Sequence, residues 1–113
     1  MDEKTKPKLV RNLIPQIISN NGQGEVLIIR KITGHLLQVY FYGKYVEEGS
    51  EIWNANTREK KLAEFADTAQ VLRDWSLSND ITPEEVEVYR VRKEKERGGF
   101  SQGIILDSVQ KGP

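Results

Sequence analysis

Apolar positions recur at helical spacing over most of this chain. Between Pro7 and Asn21 they are Leu9, Val10, Leu13, Ile14, Ile17 and Ile18. Pro15 sets the start of the regular helix near itself, because proline suits a first turn better than an interior. Asn20-Asn21-Gly22 supplies a stop. The stretch 25–32 is rich in β-branched residues and bounded by glycines, which predicts a short strand or extended connector. From His35 to Ala55 the pattern is again helical. Tyr42, Val46 and Trp53 fall on one side, and Leu37, Phe41, Lys44, Glu48 and Glu51 on the neighbouring stripe. Gly49 weakens that helix by about 1 kcal/mol against alanine unless close packing needs it. Asn56-Thr57 caps a second long helix from about Arg58 to Ser78. Leu62, Phe65, Ala69 and Leu72 form an apolar stripe there, while Glu64 shares a stripe with Thr68, Val71 and Trp75, with Asp67 beside it. Thr82-Pro83-Glu84-Glu85 joins a capping threonine, a first-turn proline and a glutamate three residues after the cap. The helix it starts runs to about Arg97 and stops at Gly98-Gly99. In the tail, 104–106 is an Ile-Ile-Leu run that offers a partner for the Val-Leu-Ile-Ile run at 26–29.

These elements predict an all-α fold, a small helical bundle with one or two short extended segments. All 113 residues read as one domain, with no repeat or linker and a polar, frayed start over 1–6. A chain of this size buries a core of moderate quality, so self-association would help it. Seventeen basic residues balance seventeen acidic ones, which gives no support for a dedicated nucleic-acid or membrane-surface protein. The absence of cysteine excludes disulfides, thiol nucleophiles and thiolate-bound metals, and is compatible with the cytoplasm. The start, MDEKTKPKLV, lacks the apolar stretch of a secretory signal, and the aliphatic run at 26–29 is far too short to span a bilayer. A single histidine and no G-x-S-x-G leave little basis for a serine–histidine triad.

The candidate chemistry lies in four carboxylates, Glu48-x-x-Glu51 and, twelve residues on, Glu64-x-x-Asp67. A three-residue offset puts each pair on one side of a helix, so two facing helices can aim four acidic groups at one pocket. Because these acids continue apolar stripes, they point toward the bundle interior or its mouth, where acids need cations or donors. Such a pocket suits hard divalent ions that take oxygen ligands and bridge to phosphates. Glu47 is a candidate either to support the metal ligands from behind or to orient a water as a base, and Lys44, one turn before Glu48, can contact a phosphate. Acidic pairs at helical spacing also decorate ordinary solvated faces, and in a chain that is 30% charged both motifs are expected by chance.

The E-x-x-E, twelve residues, E-x-x-D pattern resembles the MazG-like all-α nucleoside triphosphate pyrophosphohydrolases, which share it with dimeric dUTPases and phosphoribosyl-ATP pyrophosphohydrolases. KLVRNLIP at 8–15 is similar to the K-L-V-R-D-K-I-P opening of one small subgroup, and KEKERGGF at 93–100 to its K-x-x-x-R-G-G-F close. The three blocks come in the family's order and span nearly the whole chain. The resemblance implies a magnesium-dependent (or manganese-dependent) enzyme that cleaves a nucleoside triphosphate between the α- and β-phosphates, with house-cleaning of unwanted nucleotides as its role. It implies metal ligands at Glu48, Glu51, Glu64 and Asp67, and basic positions at Arg11, Lys44, Lys93 and Arg97 for phosphate binding or an interface. It further implies a homodimer or homotetramer. The chain departs from the subgroup at Asn12 and Leu13, where aspartate and lysine are usual, at Gly34-His35, which replaces a more acidic lead-in, and at Gly49 inside the metal motif.

Other residues have plainer readings. Arg11 and Arg97 can pair with surface glutamates, and the Arg97-Gly98-Gly99-Phe100 string is a glycine stop with an anchoring phenylalanine rather than an RNA-binding repeat. Trp53 and Trp75 are expected in the core, as aromatics at helical spacing usually are, and His35 is a cap or surface residue. Two rivals stand beside the main function. One is hydrolysis of phosphoribosyl-ATP; the other is a non-catalytic helical oligomer that binds nucleotide or protein.

Overall fold

Local signals set each helix, and the computed structural model describes residues 6–22, 24 and 26–113. Residues 1–5 of the frayed start read over 1–6, and Glu25 at the head of the expected extended segment, lie outside the described residues. There are four helices: α1 (Ile14–Asn20), α2 (Gly34–Asn54), α3 (Arg58–Ser78) and α4 (Pro83–Arg97). Among the described residues no strand forms, so the fold is all-α. At α3 the Thr57 hydroxyl accepts from the backbone N–H of Lys60 at 3.1 Å. At α4 the capping box is complete: the Glu85 N–H donates to the Thr82 hydroxyl at 3.1 Å, and the Thr82 N–H donates to the Glu85 carboxylate at 2.9 Å. Gly98 ends α4 at φ 81°, a conformation that glycine adopts without strain.

α2 and α3 carry the fold. Each has 21 residues, about 31 Å of helix, and the short link between them folds them into an antiparallel hairpin. At its open end the Phe41 and Trp75 rings stack, with centroids 6.3 Å apart and planes within 9°. The Trp75 indole N–H donates to the Gln38 side-chain oxygen at 2.9 Å, Asn79 donates to the same oxygen at 3.0 Å, and the Gln38 amide donates to the Ser78 hydroxyl at 3.0 Å. This clasp leaves no polar group of Gln38 unpaired. At the closed end the Lys61 ammonium reaches the Ile52 carbonyl at 3.5 Å.

Among the described residues, Phe41 alone is buried. Trp75 is half-buried as a core aromatic, but Trp53 stands 87% exposed, contrary to the core position expected of it. The reason is register: Phe41, Lys44 and Glu48 turn α2 toward α3, which puts Trp53 with Val46 on the outer side, while Tyr42 at the margin still meets the Trp75 ring edge-on at 6.4 Å. The apolar stripe Leu62, Phe65 and Leu72 is exposed for the same reason, since α3 meets α2 through Glu64, Thr68, Val71 and Trp75. The pairing offered between 26–29 and 104–106 is not made within the chain. Neither run is helical, and neither bonds the other through its backbone. α4 packs only on α3 among the described helices, and Pro83 is the one α4 residue that is half-buried rather than exposed.

Candidate metal centre

The register that sets Phe41 against Trp75 also sets Glu48, two turns further along α2, against the part of α3 two to three turns back. There one carboxylate oxygen each from Glu48, Glu64 and Asp67 lies within 4.8 Å of the others, all three side chains half-buried. The Glu48 side chain is only 13% exposed. Burial raises its pKa above the ordinary carboxylate value, nearby Lys44 opposes that rise, and the negative charges of Asp67, Glu47 and Glu64 add to it.

Two cations meet this cluster. The ammonium of Lys44, a side chain only 17% exposed, lies 3.1 Å from a Glu47 oxygen and 3.8 Å from a Glu48 oxygen. The Arg11 guanidinium contacts an Asp67 oxygen at 2.5 Å. That contact draws the amino-terminal block across the hairpin, where Pro7, Lys8 and Leu9 wall a cleft of about 310 Å³ against Tyr40, Lys44 and Glu47.

The structure therefore brings together Glu48, Glu64, Asp67, Lys44, Glu47 and Arg11. Glu51 is exposed and stands outside the three-oxygen cluster, although it shares a shallow cleft with Glu64, Asn54 and Lys60. Lys93 and Arg97 lie on the exposed face of α4, with no ion pair among the described residues. Sequence reasoning gave Gln38 no role, yet it ties the hairpin that sets the acids opposite one another. Its place one residue from Leu37, on the stripe leading to Phe41, was the available signal.

The donor set fits a magnesium or manganese ion. It is all carboxylate oxygen, the choice of hard ions, with no sulfur or nitrogen to favour zinc. Two oxygens on opposite sides of one magnesium are about 4.2 Å apart, so the cluster needs only a small side-chain adjustment to meet around an ion. No helix among the described residues is long and apolar enough to cross a membrane. Compared with protein-family models, with curated proteins and with solved structures, the chain matches none.

Proposed function

We propose that this chain is a magnesium-dependent nucleotide pyrophosphohydrolase of the MazG-like kind, acting as a homo-oligomer on nucleoside triphosphates. The observation that carries the reading is the convergence of Glu48, Glu64 and Asp67, with Lys44 and Arg11 against the same acids. Glu48, Glu64 and Asp67 would hold the ion, and Glu51 would join through water or after a side-chain turn. When bound, the ion neutralises phosphate charge and lowers the pKa of a coordinated water. Lys44 is placed to neutralise phosphate oxygens that the acids' ion does not cover. Arg11 can exchange Asp67 for a phosphate oxygen, a better bidentate partner once Asp67 is engaged elsewhere. Glu47, held by Lys44 beside Glu48, is the base that takes the proton as water adds to the α-phosphorus and pyrophosphate leaves.

The test is product analysis of the pure protein with a panel of standard and modified nucleoside triphosphates, with and without magnesium. Monophosphate plus pyrophosphate, formed only with metal, is the expected result. Phosphoribosyl-ATP belongs on the same panel, since its exclusive turnover would redirect the substrate. Metal and nucleotide binding without product would leave a non-catalytic module.

Metal affinity should also track Glu48. Its folded pKa lies above its unfolded value, so the folded chain holds that proton more tightly. The proton's contribution to stability is complete below the unfolded pKa and is lost as pH rises through the folded one. Metal must displace the same proton, so magnesium affinity should fall up to about tenfold per pH unit once pH drops below the raised value. Calorimetric titration between neutral and mildly acid pH reads this directly, and a flat profile would remove Glu48 from the ligand set.

A further inference from the structure

We propose that α4 and the tail form an arm that closes on a second copy of this chain, with 104–106 adding as a β-strand to 26–29 of the partner. The proposal builds on the homo-oligomer reading above but not on the hydrolase activity. Its first support is surface area. The chain exposes 10451 Å², whereas a compact monomer of 13.0 kDa exposes about 6,300 Å². The radius of gyration tells the same story, at 19.3 Å against about 13 Å for a compact domain of this length. The excess, about 4,000 Å² on one chain, is far above the ~800 Å² per partner that a standard interface covers and above the roughly 1,000–2,500 Å² per partner of the obligate class, so it leaves ample surface for an extensive contact.

The second support is where the barest apolar side chains lie. Beyond Gly98, Phe100, Ile104, Ile105, Leu106 and Val109 are 76–99% exposed. α4, which packs only on α3 among the described helices, leads to them, and the molecule extends 73 Å along its long axis, more than twice the ~31 Å of either long helix. Exposed to that degree, these side chains are not covered by the chain's own hairpin.

The third support is complementarity. The bare tail run Ile-Ile-Leu has a bare counterpart in the same sequence, the Val-Leu-Ile-Ile run at 26–29, where Val26, Ile28 and Ile29 are 66–95% exposed. Neither run is helical, both are rich in strand-forming residues, and neither uses its backbone groups for bonding among the described residues. Each copy thus presents a donor edge and an acceptor edge, the condition for a two-fold interface in which each arm serves the other body. The net charge of zero sets no repulsion between copies.

The chain has no cysteine, so engineered cysteines give an unambiguous readout. Sedimentation of the full chain should show a particle of at least about 26 kDa, twice the 13.0 kDa chain. Ile28→Cys, mixed with Ile104→Cys, Ile105→Cys or Leu106→Cys in turn to sample the register, should give a disulfide-linked heterodimer on mild oxidation. A chain carrying both cysteines should link between chains rather than within one. Ile105→Pro, which removes a strand donor at an exposed site outside every helix, should shift the dissociation midpoint at least about tenfold upward in concentration. A monomeric wild type, bonding within one chain, or an oligomer that cross-links at none of these pairs overturns the proposal. None of these readouts uses activity, so failure here and failure of the hydrolase reading are separate results.

Discussion

Glu48→Gln is expected to lower magnesium-dependent turnover of the best nucleoside triphosphate by about a thousandfold or more, a loss of about 4 kcal/mol of transition-state stabilisation. Asp67→Asn should do the same. Each change removes one of three negative oxygens that converge within 4.8 Å, and a neutral amide cannot replace that charge toward a hard cation. Stability should move the other way for Glu48→Gln. Glu48 is already pushed toward its neutral form by burial and by its acidic neighbours, so the amide relieves an unfavourable charge in the metal-free protein. A melting temperature raised by about 2–4 °C is the expected signature. For Asp67→Asn the Arg11 contact is weakened as well, so little or no gain is expected. Inactivity together with intact helical circular dichroism would place the defect at the metal, not in folding. Full metal-dependent activity in either variant would falsify its role as a ligand.

The helices were legible because their ends are written locally. Thr57, Thr82, Pro83 and Gly98 act within one turn of where they stand, and no tertiary information is needed to read them. Which face of a helix meets its neighbour is a different matter. α3 has two stripes that could serve, one through Leu62, Phe65 and Leu72 and one through Thr68, Val71 and Trp75, and the greasier of the two is exposed. Periodicity ranks stripes by hydrophobicity, whereas the choice here follows the ring stack and the Gln38 clasp, a contact between residues 37 apart. The same limit applies to the carboxylates. Residues three apart on a helix differ by about 60° in direction, so Glu64 and Asp67 straddle the line facing α2 while Glu51 swings past it. Spacing alone could not separate these cases. The runs at 26–29 and 104–106 were legible as apolar and strand-like, but nothing in one sequence says whether a strand finds its partner in the same copy.

Phe41→Ala is expected to be the most damaging change outside the acids. Truncating a buried phenylalanine costs about 3–5 kcal/mol, a large share of the 5–15 kcal/mol typical of a whole domain. Here that ring is the one buried side chain among the described residues, and it is the surface on which Trp75 stacks. The melting temperature should fall by more than about 10 °C. Trp75→Phe makes a graded comparison, because it keeps an aromatic face while it deletes the donor to Gln38 and trims one ring of a half-buried indole. Its cost should be nearer 1 kcal/mol, since Asn79 still donates to the same oxygen. The two variants should also separate at the metal. Without the Phe41 ring the hairpin can slide or splay, and Glu48 then loses its place opposite Glu64 and Asp67; magnesium affinity should drop along with stability. With Trp75→Phe the register holds, so affinity should stay near that of the wild type. If Phe41→Ala instead melts like the wild type, the α2–α3 stack is not what holds the chain together. A melting temperature that rises steeply with protein concentration would then assign that work to contacts between copies.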